Sequence, residues 1–181
     1  MMLEQLSRNI ARHIKNADPD GPVSVEVMEY ALGKRLNYLA TITLTFLGGM
    51  ITGELARTML AMALFWVIRK ASGGVHLKSL TNCAVVSASI FCVVPQLDVS
   101  HGSILVLTGA ATLLYGLFAP NRFEDLNPSR IEPYLRVFSV IICSSNFFFQ
   151  SSVFAWVLIV QALLILPLWK EISSLYEAKN S

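Results

Sequence analysis

Apolar residues gather into six long runs, at 36–53, 55–68, 80–95, 104–120, 134–150 and 153–169, with short polar breaks between them. Such unbroken runs read as helices, and all lie close to the lower limit of about 17 residues needed to cross roughly 30 Å of hydrocarbon. The second and third are the shortest and flank 69–79, which suggests that part of this connection dips into the interface as a re-entrant piece shielded by protein. Ahead of the runs, Leu3, Leu6, Ile10 and Ile14 fall on one side of a helix over 3–16, opposite Arg8, Arg12 and Lys15. A basic amphipathic helix of this kind is expected to lie on the inner membrane surface. Asp18-Pro19-Asp20-Gly21-Pro22 ends it, and Ser24 then caps a second helix, with Glu26 in its first turn, that runs on into the first apolar run. The pattern predicts an all-α integral membrane protein with about six transmembrane helices. Residues 1–35 form a cytosolic or interfacial amphipathic segment, 36–169 the transmembrane bundle and 170–181 a cytosolic tail.

Composition makes the bilayer the solvent to test first. Hydrophobic residues make up 54% and charged ones 14%, where a soluble domain carries about 25% charge, and the mean hydropathy is +0.57. A net charge of +2 gives no reason to expect a nucleic-acid partner, and the placement of the charges is more informative. With the N-terminus inside, thirteen of the fourteen basic residues fall in cytosolic stretches and Arg57 lies near the outer side, as the positive-inside rule requires. The outer turns are short and hold Glu54 and Asp98, so the working face is the inner one and both termini are cytosolic. No apolar run of signal-peptide type occurs in the first 35 residues, so the N-terminus is expected to be retained.

Cys83, Cys92 and Cys143 form no CxxC pair, so neither a disulfide framework nor a zinc ribbon is suggested, and no metal or other cofactor is expected. Cys92 and Cys143 lie inside apolar runs and read as small hydrophobes. Cys83 differs: it ends the stretch Arg69-Lys70-Ala71-Ser72-Gly73-Gly74-Val75-His76-Leu77-Lys78-Ser79-Leu80-Thr81-Asn82-Cys83 at a cytosolic boundary. A thiol attacks as the thiolate, and nearby cations or an imidazole that takes its proton make it competent at neutral pH. In one continuous helix His76 and Cys83 would share a face but stand about 10.5 Å apart along the axis, whereas a direct hydrogen bond needs roughly 3 Å. The pair therefore requires a non-helical approach that folds His76 back, and Gly73-Gly74 supplies the backbone freedom for it. Arg69 and Lys70 can favour the thiolate or anchor an acidic substrate, or simply snorkel at a helix end. Asn146, Gln150 and Gln161 are polar at membrane depth and read as glue between helices, while His13 and His101 sit on a surface helix and an outer turn. A small transporter is a competing class, against which stands the lack of paired charges and internal repeats in the apolar runs. A scaffold protein, with the His76 and Cys83 stretch accidental, is the third.

Arg69, then Gly73-Gly74-Val75-His76, then Cys83 seven residues on resemble the signature of the accessory gene regulator protein B family (AgrB), membrane cysteine endopeptidases that process a quorum-sensing propeptide. Ala119-Pro120, followed by a charged loop ending near Asn127-Pro128, is similar to the Ala-Pro loop after that family's fourth span. The resemblance implies that Cys83 is the nucleophile and His76 its general base and acid in a catalytic loop at 69–83, with Arg69 and Gly74 shaping that loop. No orienting residue is assigned, and Ser79 or Asn82 are the neighbours that could fill the place. It further implies a multi-pass thiol protease of the bacterial cell membrane, acting on an autoinducing-peptide precursor with an amphipathic N-terminal helix and an acidic C-terminal tail. Arg122, Arg130 and Arg136 would face such a tail. Cleavage would leave the retained part as a thioester on Cys83, and an internal Cys or Ser of the substrate would release it as a cyclic thiolactone or lactone. A homodimer is compatible with the resemblance. The alternative on the same topology is a multi-pass peptide exporter without protease activity.

Overall fold

Every element of the computed structural model is helical among the described residues, which are 2–75, 77, 79–121 and 132–169. His76, Lys78, residues 122–131 and the segment 170–181 lie outside them. The helices are α1 (Met2–Ala17), α2 (Val25–Thr52), α3 (Leu55–Ser72), α4 (Leu80–Val93), α5 (His101–Phe118), α6 (Glu132–Phe149) and α7 (Ser152–Leu164), with a 3₁₀ turn at Val94–Gln96 after α4. The amphipathic stretch falls on α1, and each of the six apolar runs falls on one of α2 to α7.

Local chemistry sets the boundaries. The Ser24 side chain accepts the Val27 amide hydrogen as the cap of α2, which continues unbroken until Gly53, at φ +74, turns the chain out in the left-handed region. At 28 residues α2 is about 42 Å long. The last apolar run behaves differently, because its helix stops at Leu164 although the sequence stays apolar to Trp169. Pro167 lacks an amide hydrogen and its ring clashes with the preceding turn, so α7 cannot continue through it. Its 13 residues rise about 20 Å. Among the described residues, α5 is the helix that is both long and apolar enough to cross a membrane, and the apolar helices at Leu80–Gln96, Tyr134–Phe149 and Ser152–Leu164 are shorter. The fold is thus all-α, while the six crossings remain a reading of the apolar runs.

The chain divides into two compact units, Met1–Met59 with His76–Val93, and Leu60–Val75 with Val94–Ser181. In the first, α1 and α4 both pack on α2. The α2–α4 contact is close because it is lined by small residues. A Cβ added at Gly33 would stand 2.7 Å from Leu80 Cδ1, and one added at Gly48 would stand 2.3 Å from Cys92 Sγ. α1 buries Ser7 and Ala11, leaving Leu6 and Ile14 of its apolar stripe exposed.

In the second unit α5 packs against α6 and α7. It buries Ile104, Thr108, Ala111 and Tyr115, one residue per turn along a narrow stripe. The polar members of that stripe find partners. The Tyr115 hydroxyl donates to the Leu158 carbonyl at 3.2 Å, and Asn146 Nδ2 donates to Thr108 Oγ1 at 2.9 Å while its Oδ1 accepts the Ser151 amide at 3.0 Å. Asn146 thus serves as the helix glue expected of it. Cys143, fully buried, accepts the Thr112 hydroxyl at 3.3 Å. The outer face of α5 carries Val106 and Leu113, 70% and 64% exposed.

Candidate active site

The connection from α3 to α4 passes from one unit to the other after Val75, and each half has its own supports. In the first half, Gly73 and Gly74 adopt φ of +71 and +124 and take the chain out of α3, a course open to glycine because it has no Cβ. The emerging backbone is then paired. Gly74 N–H donates to the Asn121 carbonyl at 2.8 Å, Asn121 N–H to the Ser72 carbonyl at 2.9 Å, and Val75 N–H to the Leu164 carbonyl at 3.1 Å. Leu164 is available because Pro167 has ended α7 and left the last carbonyls without helical donors. The Ile165 carbonyl takes the other tie, from Asn121 Nδ2 at 2.7 Å.

Two side chains complete this half. The Arg69 guanidinium donates to Gln161 Oε1 at 3.2 Å, to the Gly74 carbonyl at 3.5 Å and to the Val75 carbonyl, and lies 5.5 Å over the Phe65 ring. Gln161, fully buried in α7, donates through Nε2 to the Gly73 carbonyl at 2.6 Å and the Ser72 hydroxyl at 3.0 Å. The Arg69 contacts therefore shape the loop. Lys70, one residue on, is exposed in the last turn of α3. Gln161 thus joins α7 to α3, as glue between helices, and also forms the floor of the glycine turn. The sequence signal for such a role is a lone amide within a 13-residue helix that is otherwise nearly all apolar, which demands a partner.

In the second half the described residues Leu77 and Ser79 are not helical, so no continuous helix joins position 76 to Cys83. Ser79 caps α4: its hydroxyl accepts the Asn82 amide at 3.2 Å and its carbonyl accepts the Cys83 amide at 2.9 Å. Cys83 is a free, half-buried thiol in the first turn of α4. Asn37 of α2 donates from Nδ2 to the Leu80 carbonyl at 2.8 Å. The remaining support comes from Glu4 of α1, whose carboxylate accepts the Ser79 hydroxyl at 3.0 Å, the Leu80 amide at 2.7 Å and the Thr81 hydroxyl at 2.9 Å. Burial alone would raise the Glu4 pKa, but its own backbone amide, the Thr81 and Ser79 hydroxyls and the Thr81 amide outweigh it and pull it down to about 2. Nothing in the sequence pointed to Glu4.

Of the other sequence-derived candidates, His76, Arg122 and Arg130 lie outside the described residues. Arg136 is exposed in α6, with its Nε donating to the Ala119 carbonyl at 2.7 Å. The Ala119–Pro120 bond is cis, and it leads directly to Asn121 against the glycine turn.

The chain matches the model of the accessory gene regulator B family over residues 4–173 and belongs to that family. A putative AgrB-like protein of Halalkalibacterium halodurans is 27% identical over 120 residues, which cover 66% of this chain and 61% of that relative's length. The match thus spans less than two thirds of that relative's length. No solved structure matches the chain.

Proposed function

We propose that this protein is a membrane-embedded cysteine endopeptidase that removes the C-terminal part of an autoinducing-peptide precursor, with Cys83 as nucleophile and His76 as its base and acid. The observation that carries the reading is the break in helix between Ser72 and Leu80, which frees position 76 from the helical rise that would hold it two turns from the thiol in the first turn of α4. The imidazole takes the Cys83 proton, and the sulfur adds to the scissile carbonyl carbon. As the C–N bond breaks, the imidazolium returns the proton to the amine of the departing tail, leaving a thioester. A thiol or hydroxyl within the retained peptide then attacks that thioester, loses its proton to the imidazole, and expels Cys83 as the ring closes. One acyl–sulfur bond replaces another when the attacking group is a thiol, so the step needs no ATP, and exclusion of water at the membrane interface favours ring closure over hydrolysis.

The bilayer assignment is supported by the inverted distribution of side chains. Gly33, Thr41, Thr45 and Gly49 face inward on α2, whereas Leu39, Leu47 and Ile51 face outward, the last 86% exposed. α5 shows the same inversion. We read α2 to α7 as a multi-pass arrangement in the cell membrane with both termini cytosolic, which sets Arg122, Arg130 and Arg136 on the side where an acidic substrate tail would arrive.

The test is co-expression with a cognate precursor. Cys83→Ala and His76→Ala should each abolish cleavage, whereas Cys92→Ala and Cys143→Ala should retain most of it. Continued processing by either of the first two variants refutes the assignment.

A further inference from the structure

The proposed chemistry makes no use of Glu4, yet the first turn of α4 is built around its carboxylate. Among the described residues, the Ser79 hydroxyl at 3.0 Å, the Leu80 amide at 2.7 Å, the Thr81 amide at 3.5 Å and the Thr81 hydroxyl at 2.9 Å donate to it there. The Thr81 hydroxyl oxygen in turn accepts the Leu3 amide at 3.1 Å, so two consecutive residues of α1 grip the same turn. That turn closes on the bond from the Cys83 amide to the Ser79 carbonyl. A helix start has unpaired amides and a positive dipole end, and a carboxylate answers both. Here a local cap already exists in Ser79, so α4 has a start without Glu4. The carboxylate is a second tie, delivered from a different helix. α1 is itself fixed on α2, through buried Ser7 and Ala11 and through Arg8 Nε, which donates to the two Glu29 oxygens at 3.1 and 3.2 Å.

We propose that Glu4 is a positioning residue for the nucleophile: α1 brings its carboxylate to the start of α4 and thereby fixes the direction in which that first turn presents the Cys83 thiol. The inference rests on the reading of Cys83 as nucleophile. Glu4 touches no substrate. It acts by holding Ser79, Leu80 and Thr81, the residues that lead into Cys83.

The experiment uses the full chain reconstituted in vesicles containing phosphatidylglycerol, with a synthetic precursor, in a Cys92→Ala/Cys143→Ala background so that rates can be expressed per titrated Cys83 thiol. Glu4→Gln is expected to lower kcat per thiol about tenfold with KM unchanged within about twofold, the signature of a misaimed group rather than weakened binding. The rate of Cys83 alkylation by iodoacetamide should shift in the same variant. Glu4→Asp should recover part of kcat, and Arg12→Gln, which changes an exposed charge of α1 that takes no part in holding α1 on α2 or in the tie to α4, should keep kcat near the parent value. Should Glu4→Gln fail to accumulate, Thr81→Val, which removes one donor to the carboxylate, is read in the same way and should show a smaller loss with the same split. The proposal is overturned if kcat per thiol and alkylation rate are both unchanged, or if activity falls only in proportion to the folded fraction. Persistence of cleavage in Cys83→Ala would sink the nucleophile reading separately, since alkylation reports on the α4 turn whether or not the thiol is catalytic.

Discussion

Gly53 and Gly74 both have positive φ, and their surroundings differ. Around Gly53, at φ +74, an added Cβ would meet nothing within 4 Å, whereas at Gly74 it would meet Gln161 Nε2 at 3.2 Å, the Leu164 carbonyl at 3.3 Å and Arg69 Nη1 at 3.4 Å. Either alanine substitution carries the left-handed backbone penalty of about 1–2 kcal/mol. Gly74→Ala in addition pushes on the groups that hold the loop. Gly53→Ala is therefore expected to lower thermal stability in detergent modestly while keeping precursor cleavage, and Gly74→Ala to lose at least about tenfold in cleavage, since displacement near 1 Å can cost that much or more. Equal activity in the two variants would count against the loop's role. At this scale the sequence made the glycine bend legible, because spacing and residue type are local properties, while His76 lies outside the described residues. The partners of Gln161 and the supporting role of Glu4 were not legible. The groups that these two residues bind lie 88 and 76 residues away, and one sequence contains no measure of which distant residues meet.

Helices were the most readable level. The Ser24 cap, the continuity of α2 and the existence of α2 to α7 all follow from short-range pattern. The end of α7 did not, since hydropathy continues across Pro167 while the backbone cannot. Packing between elements was likewise hidden, and the α2–α4 contact makes a prediction that belongs to the pair. A Cβ at Gly48 would overlap Cys92 Sγ, so Gly48→Ala alone should destabilise by about 1–3 kcal/mol. Cys92→Ala removes the obstructing sulfur and should recover much of that loss in the double variant. Unfolding of the four proteins in a double-mutant cycle measures the coupling, and simple additivity would show that α2 and α4 do not meet at this point.

For the whole molecule, composition announced an apolar environment, and the side-chain distribution bears on which one. Outward Val106, Leu113 and Leu117 on α5 contrast with inward Thr108 and Tyr115. In water, Leu113→Lys would be a surface change within about 0.5 kcal/mol. Near the centre of a membrane span it should cost roughly 2.5–3.5 kcal/mol of insertion free energy. A membrane-insertion assay of α5, with glycosylation as the reporter, decides between them, and unchanged insertion would argue against lipid around this helix. Two properties escaped the sequence at this level. One is the division into two units within a continuous apolar pattern, and the other is the passage of the chain between them in the middle of the connection from α3 to α4.

The carbonyls of Leu164 and Ile165 receive Val75 and Asn121, so the turn that precedes His76 is secured from a stretch some ninety residues further along the chain. A ribosome reaches Cys83 long before it reaches those two acceptors. While α7 is still being synthesised, the nascent polypeptide carries its thiol but not the ties that set the loop. On the proposed chemistry, the thiol is then made before the ties that hold the glycine turn, and a product terminated ahead of α7 carries the nucleophile while that turn lacks its acceptors.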